Sequence, residues 1–75
     1  MREAILQSIT IAKENIETYE KQLEQTSRRL GRAMRDYEYD KVEKLESRIC
    51  ELRCSLNDCY IFIIEHNKKL AVVEE

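Results

Sequence analysis

From Ile5 onward the apolar positions of the chain recur in alternating steps of four and three: Ile5, Ile9, Ala12, Ile16, Tyr19, Leu23, Thr26, Leu30, Ala33 and Tyr37. This heptad stripe predicts an amphipathic helix whose seam faces another helix. Ile9, Ile16, Leu23, Leu30 and Tyr37 form one row of the seam, and Ile5, Ala12, Tyr19, Thr26 and Ala33 form the other. The small members of the second row point to close approach of a neighbouring helix, because small and large side chains interdigitate. A second stripe follows with the same alternation: Val42, Leu45, Ile49, Leu52, Leu56, Cys59, Ile63, His66, Leu70 and Val73. Continuing the first count past Tyr37 would place seam positions at Asp40 and Lys44, so the two stripes are out of phase.

No proline forces that break, and Asp36 and Asp40 flank it. The slip therefore reads as a short turn between antiparallel helices, with Asp36 or Tyr39 near a cap and Asp40 and Glu43 in a first turn where the helix dipole favours negative charge. The expected fold is all-α: an antiparallel two-helix hairpin of the coiled-coil kind, one domain over residues 1–75. The first helix is expected over residues 3–36, the turn over 37–39 and the second helix over 40–73. Arms of about 35 residues make a rod about 50 Å long, with Leu23 near Leu56 and Ile16 near Ile63. Three outer pairs, Glu17 with Lys21, Glu24 with Arg28 and Asp40 with Lys44, have the favourable order for a few tenths of a kcal/mol each. Gly31 lies off the stripe, a soft spot costing about 1 kcal/mol relative to Ala.

One segment does not fit a lone hairpin. Cys59-Tyr60-Ile61-Phe62-Ile63-Ile64 is apolar around the whole helix circumference, and such a helix must be covered on more than one side. Leu6 and Ile11 also lie off the stripe at the same distal end of the rod. The reading that follows is self-association through Ile5, Leu6, Ile9, Ile11, Tyr60, Ile61, Phe62, Ile63 and Ile64, with two hairpins forming a two-fold homodimeric four-helix bundle. An equivalent alternative is that a different protein covers the same surface.

Composition supports long helices and narrows the role. Of the 75 residues, 37% are charged, none is proline and one is glycine, the profile of a coiled coil rather than of a linker or loop-rich fold. A chain this short has a thin core. The formal net charge of −2 sets up no global field toward nucleic acid or an anionic membrane. No charged start leads into an apolar run of leader length, and no window is apolar enough to span a bilayer. A cytoplasmic location and no membrane partner are the expectations. Cys50, Cys54 and Cys59 are an odd set, which suits reduced thiols better than a disulfide framework.

Candidate chemistry is sparse. Cys50 and Cys54 share a helix face, but Cys59 lies about 180° around the helix from Cys50, and His66 is about 10 Å along the axis from Cys59. A tetrahedral metal site needs its ligands to converge, so no metal and no cofactor are expected, and the thiols read as small apolar fillers. His66 reads as a ring packed at the end of the seam. No nucleophile, base and orienting group meet in a water-excluding pocket, so catalysis is not expected. Arg28, Arg29, Arg32 and Arg35 form a basic ridge beside the turn, facing Lys41, Lys44 and Arg48, and are interleaved with Asp36, Glu38, Asp40 and Glu43. The ridge reads first as a solvated face; with Tyr37 and Tyr39 the same arginines are the candidate docking surface for a protein partner, an acidic one for the ridge. An accessory role on nucleic acid through the same arginines is the alternative.

The stretch from Ala33 to Leu52, Ala-Met-Arg-Asp-Tyr-Glu-Tyr-Asp-Lys-Val-Glu-Lys-Leu-Glu-Ser-Arg-Ile-Cys-Glu-Leu, resembles the UVR motif of bacterial excision-nuclease subunits and of some Clp-protease partners. Tyr37-Glu38-Tyr39-Asp40-Lys41-Val42 stands in place of that family's corner, and Leu45, Ile49 and Leu52 hold its later apolar positions. Glu43 and Glu46-Ser47 depart from its alanine and its arginine-aspartate pair. The resemblance implies a helical hairpin that pairs with a second hairpin and docks protein to protein. It also suggests a bacterial or phage setting for a small adaptor or inhibitor.

Overall fold

The computed structural model describes residues 1–74, with side chains through Val73; residue 75, the last of the expected domain, lies outside the described residues. Helix α1 runs Arg2–Arg35 and helix α2 runs Tyr39–Glu74. They pack antiparallel into a rod of 57 × 14 × 12 Å, close to the length expected from the helical rise. Among the described residues there is no strand, and no helix is long and apolar enough to cross a membrane.

The boundaries at the turn fall one residue earlier than the heptad count suggests, and the backbone at the corner shows why. Glu38 N–H donates to the Ala33 carbonyl at 2.9 Å and Tyr37 N–H to the Met34 carbonyl at 3.3 Å, the paired bonds of a Schellman cap. Such a cap requires a left-handed residue between them, and Tyr37 takes that position with φ 57. The Glu38 carbonyl then accepts from Val42 N–H at 3.0 Å, so the residue that closes α1 also opens α2. Tyr37 is therefore not the last residue of the seam: beyond the helix end the heptad phase no longer applies, and its ring is 75% exposed.

Elsewhere the stripes are the core. Ile9, Ala12, Thr26 and Ala33 of α1 and Ile49, Leu52 and Leu56 of α2 are buried, Leu52 most completely at 1% exposure. Ile5, Ile16, Tyr19, Leu23, Leu30, Val42, Leu45, Cys59, Ile63, His66 and Leu70 are half-buried along the same seam, while Val73 at its end is exposed. Ala12, Thr26 and Ala33, the small members of their row, are among the most deeply buried, as close helix approach demands. Thr26 is the one polar residue among the buried ones described, and its hydroxyl donates to the Gln22 carbonyl at 2.7 Å. Desolvating that hydroxyl therefore leaves no unmet hydrogen bond.

Of two local expectations, a tolerated glycine at position 31 holds and the outer ion pairs change in part. Helix α1 passes straight through Gly31, and a methyl group placed there would meet nothing within 4 Å. Of the three outer ion pairs, Glu24 with Arg28 forms at 2.6 Å. Among the described residues Glu17 with Lys21 and Asp40 with Lys44 do not; Lys41 reaches Glu38 at 3.1 Å and Arg48 reaches Glu51 at 3.2 Å instead. These are exposed pairs of small energetic weight.

Candidate functional site

Antiparallel pairing gives the rod two broad faces, one on each side of the seam, and the off-seam apolar residues divide between them. On one face Ser8, Ile11 and Asn15 of α1 and Asp58 and Phe62 of α2 line an open groove floored by Ala12 and Cys59. A second apolar hollow, lined in part by Ala4, Ile5, Val72 and Val73, opens at the rod's free end. On the other face the Tyr60 hydroxyl donates to Glu20 Oε1 at 3.1 Å. Leu6 stands two heptads before Glu20 and Ile64 one turn after Tyr60, which puts both on that second face. Ile61 points outward between them.

This partition refines the expected self-association set. Leu6, Ile11, Tyr60, Ile61, Phe62 and Ile64 are exposed by 38% to 56% and are open to a second molecule. Ile9 is buried, and Ile5 and Ile63 are half-buried within the hairpin's own seam. The facing helix already covers Ile9, so the expectation that it serves a second copy is corrected, while Ile5 and Ile63 keep only part of their apolar surface open. The sequence pattern groups all nine at one distal flank because periodicity along one helix marks a residue as off-seam without saying on which side it falls. The flanking heptad positions carry that missing signal.

Nearer the turn the two faces carry opposite charge. Ser8, Asn15, Gln22 and Arg29 recur at one heptad position, as do Lys41, Arg48 and Phe62. The Phe62 face therefore continues into a groove lined by Arg29, Arg32, Lys41 and Lys44, with Asp36 and Glu38 at its edge and Ala33 and Leu45 as its floor. Arg48 extends it, reaching Gln22 Oε1 at 3.4 Å. On the Tyr60 face the corresponding stretch carries Glu24, Glu43 and Glu46; Arg53, Glu20, Glu17 and Lys13 follow farther from the turn, up to the level of Tyr60. The turn half is thus mainly basic on one side, although Glu51 pairs with Arg48 and Glu38 with Lys41 there, and mainly acidic on the other.

The expected arginine ridge is thus regrouped. Arg29 and Arg32 join the lysines of α2 in one groove, where among the described residues neither they nor Lys44 make an ion pair. Arg28 points outward and is held by Glu24, and Arg35 Nε donates to the Gly31 carbonyl at 3.4 Å. Tyr37 and Tyr39 stand exposed at the tip, 75% and 73%, with ring centroids 6.5 Å apart and planes tilted by 58°. Lys41, Lys44 and Arg48, which the sequence places across from the ridge, are as much part of the basic face as the arginines.

The remaining polar groups show no convergent chemistry. Cys50 and Cys54 are free and exposed, so they are not the small core fillers the sequence suggests; Cys59 alone sits at the seam. Among the described residues no three His, Cys, Asp or Glu side chains come together as a metal site. His66 packs on Phe62 with centroids 3.8 Å apart, and its Nδ1 lies 2.9 Å from the Phe62 carbonyl. A carbonyl only accepts, so Nδ1 carries the proton in that contact. The Tyr60 hydroxyl titrates above its ordinary value because it donates to the Glu20 carboxylate, with burial and the nearby negative charge adding to the effect. No family model, curated protein or solved structure matches the chain.

Proposed function

We propose that this chain is a non-enzymatic protein–protein interaction module, a helical hairpin that associates with itself through its distal half and presents its turn to a protein partner. The observation that carries the reading is the set of large apolar side chains left uncovered on both broad faces of the distal half, Leu6, Ile11, Tyr60, Ile61, Phe62 and Ile64. Two helices shield one stripe each, and a contiguous exposed apolar area on a small chain marks an interaction surface. Two hairpins overlapping their distal halves, the two-fold four-helix bundle, are the simplest assembly that covers part of it.

The turn supports the docking half of the proposal. Tyr37 stands in a left-handed conformation that disfavours side chains, yet it holds an exposed aromatic ring beside Tyr39. Strain kept at an exposed position suits a binding site, and tyrosine and arginine are the residue types that anchor protein interfaces. The resemblance of residues 33–52 to the UVR hairpin agrees with such a role. The exposed thiols of Cys50 and Cys54 suit a reducing, cytoplasmic setting.

Sedimentation velocity across a concentration series, with reductant to keep the thiols free, tests the self-association. A mass that rises above the 9.0 kDa monomer with concentration is expected, and a monomer at every concentration refutes the reading. Capture of a host protein should survive replacement of Arg28, Arg29, Arg32 and Arg35 by glutamine and fail when Tyr37 and Tyr39 become alanine. A second reading, an accessory factor on nucleic acid, is favoured by the unpaired cations of the basic groove. Asp36 and Glu38 at its rim and the acidic opposite face weigh against a phosphate track. Salt-dependent retention on DNA or RNA that disappears in the four-arginine variant would favour that second reading.

A further inference from the structure

The two broad faces match each other rather than themselves. Measured along the helical rise from the turn, Lys41, Arg32, Lys44, Arg29 and Arg48 of the Phe62 face stand at about 3 to 14 Å. Glu43, Glu46 and Glu24 of the Tyr60 face stand at about 6 to 18 Å. The apolar groups also share a level: Phe62 and Ile11 lie at about 35 to 38 Å on one face, Tyr60 and Ile64 at about 32 to 38 Å on the other. Each face is mainly charged near the turn, with the sign reversed between them, and carries its large apolar groups toward the free end, where Asp58 borders Phe62 on one face and Glu20 borders Tyr60 on the other.

From this juxtaposition we infer that the partner of the Phe62 face is the Tyr60 face of a second copy of this chain, stacked parallel and in register. The inference rests on the self-association proposed above and puts a heterologous stack in place of its two-fold bundle. Parallel stacking of unlike faces sets Glu43, Glu46 and Glu24 over the basic groove and brings Tyr60 and Ile64 over Phe62, at the level where Ile11 stands on α1. The other arrangements do less. Parallel pairing of like faces sets base against base or acid against acid, and antiparallel stacking of unlike faces lays charge over the apolar ends. Two-fold pairing of the distal halves alone buries one apolar face and leaves the other, with all the charged surface, uncovered.

A contact between unlike faces is heterologous, so every added copy offers the next a fresh face and growth continues until a ring closes or a filament forms. The charged half also fixes direction, because like-charge juxtaposition excludes reversed copies. Exposed ion pairs are strongly screened once the Debye length falls to about 3 Å near 1 M salt. The assembly therefore weakens with salt while the hairpin, held by its buried seam, persists.

Two variants separate this geometry from a two-fold dimer. Ile11→Glu spoils the Phe62 face and Ile64→Glu the Tyr60 face, and both positions are more than half exposed, so the hairpin itself is spared; unchanged helicity by circular dichroism checks this. Should either unfold, Ile11→Gln and Ile64→Gln run the same test. Wild type, sedimented with reductant, is expected to pass beyond a dimer as concentration rises. Each variant alone is expected to remain a monomer, and an equimolar mixture to form a 1:1 dimer, because one good face of each kind is left. High salt is expected to lower the wild-type mass.

A wild type that stops at a dimer overturns the inference. So does a mixture that stays monomeric, a variant that retains the wild-type mass, or association that salt does not weaken. A wild type that is monomeric throughout instead overturns the self-association on which the inference rests.

Discussion

Tyr37 gives the sharpest test of the corner, because its left-handed backbone reverses the usual ranking of glycine and alanine. In a helix interior glycine is less stable than alanine by about 1 kcal/mol. At φ 57 the order inverts: an L-residue with a side chain costs about 1–2 kcal/mol there, and glycine escapes that penalty. Glycine gives back part of the gain, about 0.5–1 kcal/mol, through the greater freedom of its unfolded chain. Loss of the ring contact with Tyr39, about 0.5 kcal/mol for a solvent-exposed pair, burdens both substitutions equally and cancels in the comparison.

Tyr37→Gly is therefore expected to exceed Tyr37→Ala by about 0.5–1 kcal/mol, which for a domain of this size raises the melting temperature by about 2–8 °C. Thermal unfolding followed by circular dichroism, at one fixed concentration and with reductant, measures the difference. If the alanine variant melts higher, residue 37 is helical, the rod is unbroken and the hairpin does not exist. The comparison also speaks to function. A variant that is more stable than its alanine counterpart but no better at binding separates the backbone, which wants glycine at this point, from the partner, which wants the ring.

Three further outcomes follow from particular contacts. Gly31→Ala is expected to stabilise the hairpin by about 0.5–1 kcal/mol, since the added methyl meets no neighbour within 4 Å and the helix gains propensity; a lower melting temperature would mean that something packs against that surface. Leu52→Ala, at the most buried side chain described, is expected to cost about 2–5 kcal/mol and remove most of the helicity, whereas retained helicity would show that the seam is not what holds the rod together. Tyr60 is expected to form its phenolate above 10.0, the ordinary value, because Glu20 favours the protonated hydroxyl. The stability this bond contributes is present below the unfolded tyrosine's pKa and is lost as pH rises through the folded one. Glu20→Gln should lower the tyrosine's midpoint in an absorbance titration, and an unmoved midpoint would exclude the contact.

The hairpin was legible because the phase slip between Tyr37 and Val42 is a property of spacing alone, and spacing is what heptad packing reads. The placement of Tyr37 was not, because a left-handed tyrosine has no signature of its own: its helical phase is continuous with Leu30, and only the paired backbone bonds of Ala33 with Glu38 and Met34 with Tyr37 remove it from the seam. The exposure of Cys50 and Cys54 departs from the sequence expectation for a different reason. Both are off the stripe, and on a thin rod position, not small apolar character, decides burial.

The division of the apolar flank into two faces follows from the same limit taken one step further. A single helix tells which residues leave its seam, but left and right acquire meaning only when a second helix lies alongside and reversed. That reversal brings Ile11 beside Phe62 and Leu6 to the side of Tyr60, and the same operation gathers Arg29 with Lys41 while sending Glu20 and Glu46 across the rod. Chain reversal at Tyr37 is thus what converts scattered charges into two opposed sheets of charge. A molecule with one sticky side can be satisfied by a single partner, whereas a rod with two unlike sides is satisfied only by one neighbour on each, and this distinction separates a closed pair from a growing stack.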